Sequence, residues 1–179
     1  MTNPLNYLIS ELNKENLWEG HLSLQRNDYL KNQGSMDTRL YFIQTGCLRV
    51  FVVDDYEEHT IRFGYENNVI AALDSFITEQ ASDMVIQALR KTEVKVLEKA
   101  AFMEFARSTP ERFESWLQLL EQLIYQQLER ERDLLTSSPA ERFRRVLQRS
   151  PQLFQEVPHK YIASYLRMTP ETLSRLKNN

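Results

Sequence analysis

Between Gly20 and Lys99 the chain breaks into short β-rich runs, a pattern that leaves few folds open. His21–Gln25 alternates apolar and polar residues, Leu40–Gln44 ends at Thr45-Gly46, and Cys47–Val53 (CLRVFVV) follows. Asp54-Asp55-Tyr56-Glu57 reads as a turn, after which Thr60–Tyr65 alternates with Ile61, Phe63 and Tyr65 on one face. Met84–Leu89 and Val94–Leu97 close the set, joined through Arg90–Glu93. Many short strands at even spacing predict an antiparallel sandwich or barrel. The pattern lapses between Val69 and Ala81, where Ile70–Ile77 (IAALDSFI) predicts a helical turn that either lines a pocket or plugs the barrel.

Helical periodicity flanks this region. Residues 1 to about 19 carry Leu5, Leu8, Ile9 and Leu12, then Leu17 and Trp18, predicting an amphipathic helix that covers one end of the barrel. A short helix begins over Ala100–Ala106. Thr109 then offers an N-cap and Pro110 a first helical residue for a helix reaching Leu135. At 1.5 Å per residue it is roughly 39 Å long. Leu117, Leu120, Ile124, Leu128 and Leu135 form one apolar stripe, and Phe113, Trp116, Leu120 and Leu123 an adjacent one. One stripe can lie on the barrel while the other meets a second copy, so Phe113, Trp116, Leu117, Leu120, Leu123, Ile124 and Leu128 are candidate dimer residues.

Thr136–Pro139 reads as a hinge, with Ser137 or Ser138 capping a helix from Ala140 to Gln148 whose Phe143, Val146 and Leu147 face inward. Ser150-Pro151 restarts a short helix and Val157-Pro158 breaks the chain again. The last stretch, His159–Asn179, predicts two crossed helices. Ile162 and Leu166 share a face of the first, Ala163 permits close approach, and Arg167-Met168-Thr169 is the turn. Thr169 and Pro170 start the second helix, which turns Leu173 and Leu176 inward and leaves Glu171, Thr172, Ser174, Arg175 and Lys177 outward. That is a helix-turn-helix pattern, with a polar second helix suited to the major groove. The fold class is therefore α+β: an antiparallel β-domain over 1–108, a long helix suited to dimerisation over 109–136 and a small all-α domain over 137–179.

Charge sharpens the division. From Ser137 onward eight basic residues face three acidic ones, a net +5, while the remainder carries 14 basic and 22 acidic residues, a net −8. A mildly acidic chain thus presents one basic end to a polyanion. No run of about 18 apolar residues predicts a membrane span, and the N-terminus lacks a secretory pattern, so a cytoplasmic protein is expected. Cys47 is the single cysteine, and His21, His59 and His159 lie far apart, which excludes an internal disulfide and a metal-ligand spacing. With no nucleophile–base pair and only four glycines, no enzyme is expected.

The words LYFIQTGCLRVF, VPHKYIASYL and MTPETLSR, in that order, give a chain that resembles the Crp/Fnr family of bacterial transcription regulators. The resemblance implies that residues 1–108 are a cyclic-nucleotide-binding-like β-roll or jelly-roll sensor domain, and it implies a homodimer on a pseudo-palindromic double-stranded DNA site with RNA polymerase as a further partner. It also implies that Glu171, Ser174 and Arg175 contact bases. Arg175 suits a guanine and Glu171 a cytosine amine, while Lys160, Thr169, Lys177 and some of Arg142 to Arg149 would hold phosphates. Pro170 and Thr172 complete the DNA-facing set. A signal would reach it through the hinge at 136–139.

The chain departs from the family pattern in three places. Ala71-Ala72 stand where a Gly-Glu pair would hold a ribose, and Ala81-Ser82 near the place of an Arg-Ser pair for the phosphate. A buried phosphate without a cation is costly, so cyclic AMP is not expected, no cofactor is implied, and Ile70, Ala71, Ala72, Ala81 and Ser82 would line a pocket for another effector or none. Arg167 stands where the turn usually has Gly, at a cost of about 1–2 kcal/mol if φ is positive, which a phosphate contact could offset. The sequence given also ends just after the second helix, leaving the grip on DNA to helices without a β-wing. The rival reading is a ligand-binding signalling module whose terminal helices bind protein.

Overall fold

The fold is described from a computed structural model covering residues 3–178. Helix α1 (Pro4–Lys14) is capped by the Asn3 carboxamide, which accepts from the Leu5 amide, and buries Leu8 and Leu12 one turn apart. It stops at Lys14, because Asn16 turns left-handed (φ 52°), so the expected helix to residue 19 is shorter. Trp18 instead stacks on Phe42 with ring centroids 5.7 Å apart.

Eight strands follow: β1 (Gly20–Leu24), β2 (Tyr29–Lys31), β3 (Leu40–Thr45), β4 (Cys47–Asp54), β5 (Glu57–Tyr65), β6 (Val69–Ile70), β7 (Val85–Ala88) and β8 (Thr92–Leu97), with helix α2 (Leu73–Thr78) between β6 and β7. They form two antiparallel four-stranded sheets, ordered β1-β8-β3-β6 and β2-β7-β4-β5. That order is a jelly roll. Strands β2 and β6 had no readable pattern, since three and two residues are too few to show an alternation.

Strand β4 shows why CLRVF does not alternate. Its Cys47–Phe51 stretch is buried throughout. Leu48 and Val50 join Ile43, Ile86 and Ala88 in the barrel core, while Cys47 joins the core of the C-terminal helices. Both faces of the strand are covered, so both must be apolar. The exception is Arg49, only 1% exposed, whose guanidinium lies 3.8 Å from the Phe51 ring centroid and 4.4 Å from that of Tyr161. Its Nη2 donates to Glu58 at 2.5 Å, while Nε and Nη1 are buried without hydrogen-bond partners. Across from Leu48, Gly64 is required by packing: a Cβ there would lie 2.4 Å from Ile70 and 2.8 Å from Ile43.

The bulge between Val50 and Phe51 displaces Ile61 from the expected face; Phe63 and Tyr65 turn toward the C-terminal helices. The expected pocket residues are likewise redistributed. Ile70 and Ala72 fill the barrel core, and Ala71 packs with Leu8, Phe76 and Phe102. Ser82 is buried in a bridge to Ser35, and Ala81 is exposed. Three of the five are packed into two separate cores, one is bridged to Ser35 and one faces solvent, so they share no pocket wall.

Helix α3 (Lys99–Arg107) leads into α4 (Pro110–Leu135), where Thr109 Oγ1 accepts from the Arg112 amide as the sequence predicts. Trp116 meets Phe102 edge-on at 5.0 Å and packs with Leu119 against α1 and α3. It therefore leaves the candidate dimer face, and Leu123, seven residues on, shares its side of the helix. Phe113, Leu117, Ile124 and Leu128 are exposed, with Leu120 half-buried among them. The chain closes with α5 (Pro139–Arg149), α6 (Pro151–Glu156), α7 (His159–Tyr165) and α8 (Pro170–Asn178). No helix among the described residues is long and apolar enough to cross a membrane.

Candidate nucleic-acid interface

Helices α7 and α8 bury Ile162, Ala163, Leu166 and Leu173 against Phe143, Val146, Leu153 and Val157. The turn between them is a Schellman motif: the Met168 amide donates to Ala163 O at 3.0 Å and the Arg167 amide to Ser164 O at 3.1 Å. Its left-handed position is Arg167, at φ 52°, the conformation that normally favours glycine. Thr169 Oγ1 then accepts from the Thr172 amide at 3.2 Å and starts α8.

On α8, Glu171, Ser174, Arg175 and Lys177 are exposed and Thr172 is half-buried, while Leu173 is fully buried behind them. Spacings of three and four residues put Glu171, Ser174 and Arg175 on one side of the helix. A backbone hydrogen bond from its own amide, then one from Thr169, holds the exposed Glu171 carboxyl below the usual carboxylate range. It is an acceptor at neutral pH. Lys160, Thr169 and Pro170 are also exposed; Lys160 Nζ lies 4.5 Å over the Tyr161 ring. Lys177 Nζ sits 2.6 Å from His159 Nε2, and Arg167 Nη1 3.5 Å from His59 Nδ1.

Three of the four arginines of α5 are engaged by partners within the chain. Arg142 is buried and donates to four carbonyls: Leu166 O at 2.9 Å, Arg167 O at 3.1 Å, Thr136 O at 2.6 Å and Ser137 O at 3.1 Å. Arg145 and Arg149 pair with the buried Asp133 and with Glu129 on α4. Arg144 is solvent-facing beside Glu141, and Arg149 stays exposed while paired. Sequence reasoning counted all four toward a basic surface, because no local signal shows which carboxylates and carbonyls the fold brings to them.

Other residues that position the helices were also missed. Ser164 Oγ donates to Glu58 O at 2.9 Å and accepts from the Thr60 amide at 3.2 Å, tying α7 to β5. Arg130 donates to Tyr165 O at 2.5 Å and lies 3.8 Å over that ring. In the barrel, buried Lys31 donates to Asn32 O at 3.0 Å, Ser82 O at 2.9 Å and Met84 O at 2.6 Å. A lone Lys ending a three-residue strand gives no such warning.

The strand order and the module docked beside it can now be set against known proteins. Residues 21–109 match the cyclic nucleotide-binding domain. No curated protein sequence matches the chain. Among solved structures, a CooA mutant from Carboxydothermus hydrogenoformans is similar, with a TM-score of 0.75 and 16% identity over 96% of this chain and 82% of that one. FixK2 from Bradyrhizobium japonicum gives 0.70 and 16% over 89% and 82%. The Thermus thermophilus catabolite activator protein gives 0.57 and 18% over 99% and 82%. At these identities the likeness establishes the fold, helical C-terminal region included.

The segment that matches the cyclic nucleotide-binding domain has its buried ammonium already engaged. Ala71 and Ala72 bring no carboxylate for ribose hydroxyls. The cation bonded to the Ser82 segment is Lys31, and an ammonium has three N–H donors. All three are directed at backbone carbonyls. The Lys31 ammonium has no donor left for a phosphate.

Proposed function

We propose that the chain is a DNA-binding transcription regulator of the Crp/Fnr type, acting as a homodimer on a pseudo-palindromic site. The observation that carries the reading is the exposed Glu171, Ser174 and Arg175 on one side of α8, with Leu173 buried behind them and the Schellman turn fixing the angle. Arg175 donates twice to a guanine, Glu171 accepts from a cytosine amine, and Lys160, Arg167, Thr169 and Lys177 hold phosphates. Phe113, Leu117, Leu120, Ile124 and Leu128 recur at spacings of four and three, a coiled-coil seam left exposed in the single chain. Pairing it across a two-fold axis sets the two α8 helices at half-sites about 34 Å apart. RNA polymerase is the machinery such a regulator acts on.

Selection of bound sequences from a random duplex pool tests this directly. Enrichment of an inverted repeat is the expected result, and recovery of no sequence overturns it. On the selected site, Arg175→Ala should cost about 1–3 kcal/mol and relax preference at one position per half-site. An equal loss on all DNA would show that Arg175 reads no base.

A further inference from the structure

The C-terminal helices are fastened on three sides. Against the barrel, Cys47, Phe63 and Leu89 share one core with Leu153, Val157, Ile162 and Leu166. Polar ties edge that core: Ser164 holds Glu58 O and the Thr60 amide, and Arg90 bonds the Glu156 carboxylate at 2.5 Å while donating to Gly46 O at 3.1 Å. Against α4, Arg145 and Arg149 pair with Asp133, and Arg130 holds Tyr165 O. Across the linker, Arg142 grips Thr136 O and Ser137 O with the same guanidinium that grips the turn of the helix-turn-helix. Residues 136–138 are therefore a clamped joint. Domains joined through an apolar core of this kind do not move freely.

The barrel is equally closed to a signal. Its irregular segment is satisfied from within, by Lys31 on Ser82 O and Met84 O, by the Ser35–Ser82 bridge, and by Ile70 and Ala72 in the core. A ligand shifts an equilibrium only as far as it binds one arrangement better than the other. Here the buried ammonium of Lys31 is already held by backbone carbonyls at that segment.

We propose that the docked arrangement is itself the DNA-reading one, so that DNA affinity is set by intramolecular packing and not gated by a cyclic nucleotide. This rests on the DNA-binding reading above, with α8 exposed in the docked state.

The test uses the full chain and the duplex recovered by selection, with affinity read by fluorescence anisotropy. Millimolar cyclic AMP or cyclic GMP should change the dissociation constant by less than about twofold; a shift of about fivefold or more, the lower end of ordinary allosteric coupling, overturns the proposal. Cys47, the single cysteine and fully buried in the shared core, reports docking through its reaction with an aromatic disulfide. The rate should be equally slow with and without DNA, and acceleration by DNA would show that reading requires undocking. Loosening the joint with Ser164→Ala and Arg90→Ala together should speed Cys47 labelling and weaken specific binding. Tighter binding by that variant would make the docking inhibitory and the proposal wrong. Failure to bind any duplex is a different result: it removes the DNA-binding reading, and the proposal with it.

Discussion

Arg142 on α5 donates from Nη2 to the carbonyl of Arg167 at 3.1 Å, and Arg167 is the left-handed residue of the turn before α8. One arginine thus supports another that occupies a glycine's conformation. The same guanidinium reaches the carbonyls of Leu166, Thr136 and Ser137. The geometry of the turn before α8 and that of the joint to α4 consequently share one side chain.

Replacing Arg142 should be among the most damaging single changes outside the barrel. Arg142→Met keeps the stem but strands four carbonyls, two of them at the end of α7. Unpaired buried acceptors cost about 1–3 kcal/mol each, though some will reach water, so a loss of about 3 kcal/mol in urea denaturation is expected. Arg142→Lys should not rescue it, since a point ammonium cannot span a planar fork's partners. A loss below about 0.5 kcal/mol would show the network to be ornamental.

Arg167→Gly should act in opposite directions on stability and binding. Removing Cβ from a residue at φ 52° relieves about 1 kcal/mol, raising the melting temperature by a few degrees. Losing the guanidinium should lower the slope of log affinity against log salt by about one phosphate contact. An unchanged salt slope would mean that Arg167 touches no phosphate.

The two sides of α4 should separate in mutation. Trp116→Ala removes the edge-on contact with Phe102 and should cost about 2–3 kcal/mol of folding stability while leaving the oligomeric state alone. Ile124, 60% exposed in the single chain, should behave oppositely. Ile124→Asp leaves the fold of one chain intact within about 0.5 kcal/mol and abolishes the dimer in sedimentation equilibrium. A dimer that survives it would place the seam elsewhere.

Burial pushes the Cys47 thiol up to about 12, against an ordinary value of about 8.5 in the unfolded chain. The raised value means that this thiol's contribution is complete below about pH 8.5 and is lost as pH climbs toward the folded value. The stability gap between the unsubstituted chain and Cys47→Ala should therefore narrow between about pH 8.5 and pH 10, by up to 1.4 kcal/mol per unit. A constant gap across that range would show that the thiol meets water in the folded state.

Much of the architecture was legible because local signals decided it. Thr109-Pro110 placed a helix start where the cap forms, and of Ser137 and Ser138 the second is the cap of α5, since a cap is made by neighbours in sequence. The two packed C-terminal helices followed from Ile162, Ala163, Leu166 and Leu173, all buried as their spacing requires. The failures share a cause. Trp116 belongs to a broad apolar helix, and only the position of Phe102 selects which side faces its own chain. Arg142, Arg145 and Arg149 look like a basic surface until carboxylates and carbonyls from other elements are brought to them.

Taken by itself, the amino-acid sequence determined the longer strands and helices in their order and the polar face of α8, because periodicity, capping and residue identity act over a few positions. The tertiary structure decided which charges are spent inside the molecule. Lys31 meets Ser82 and Met84 across some fifty residues, and Ser164 meets Glu58 across more than a hundred. A buried polar group must take whatever partner the packing brings within hydrogen-bonding distance, and that partner is set by the meeting of sheets and helices, not by its neighbours along the chain.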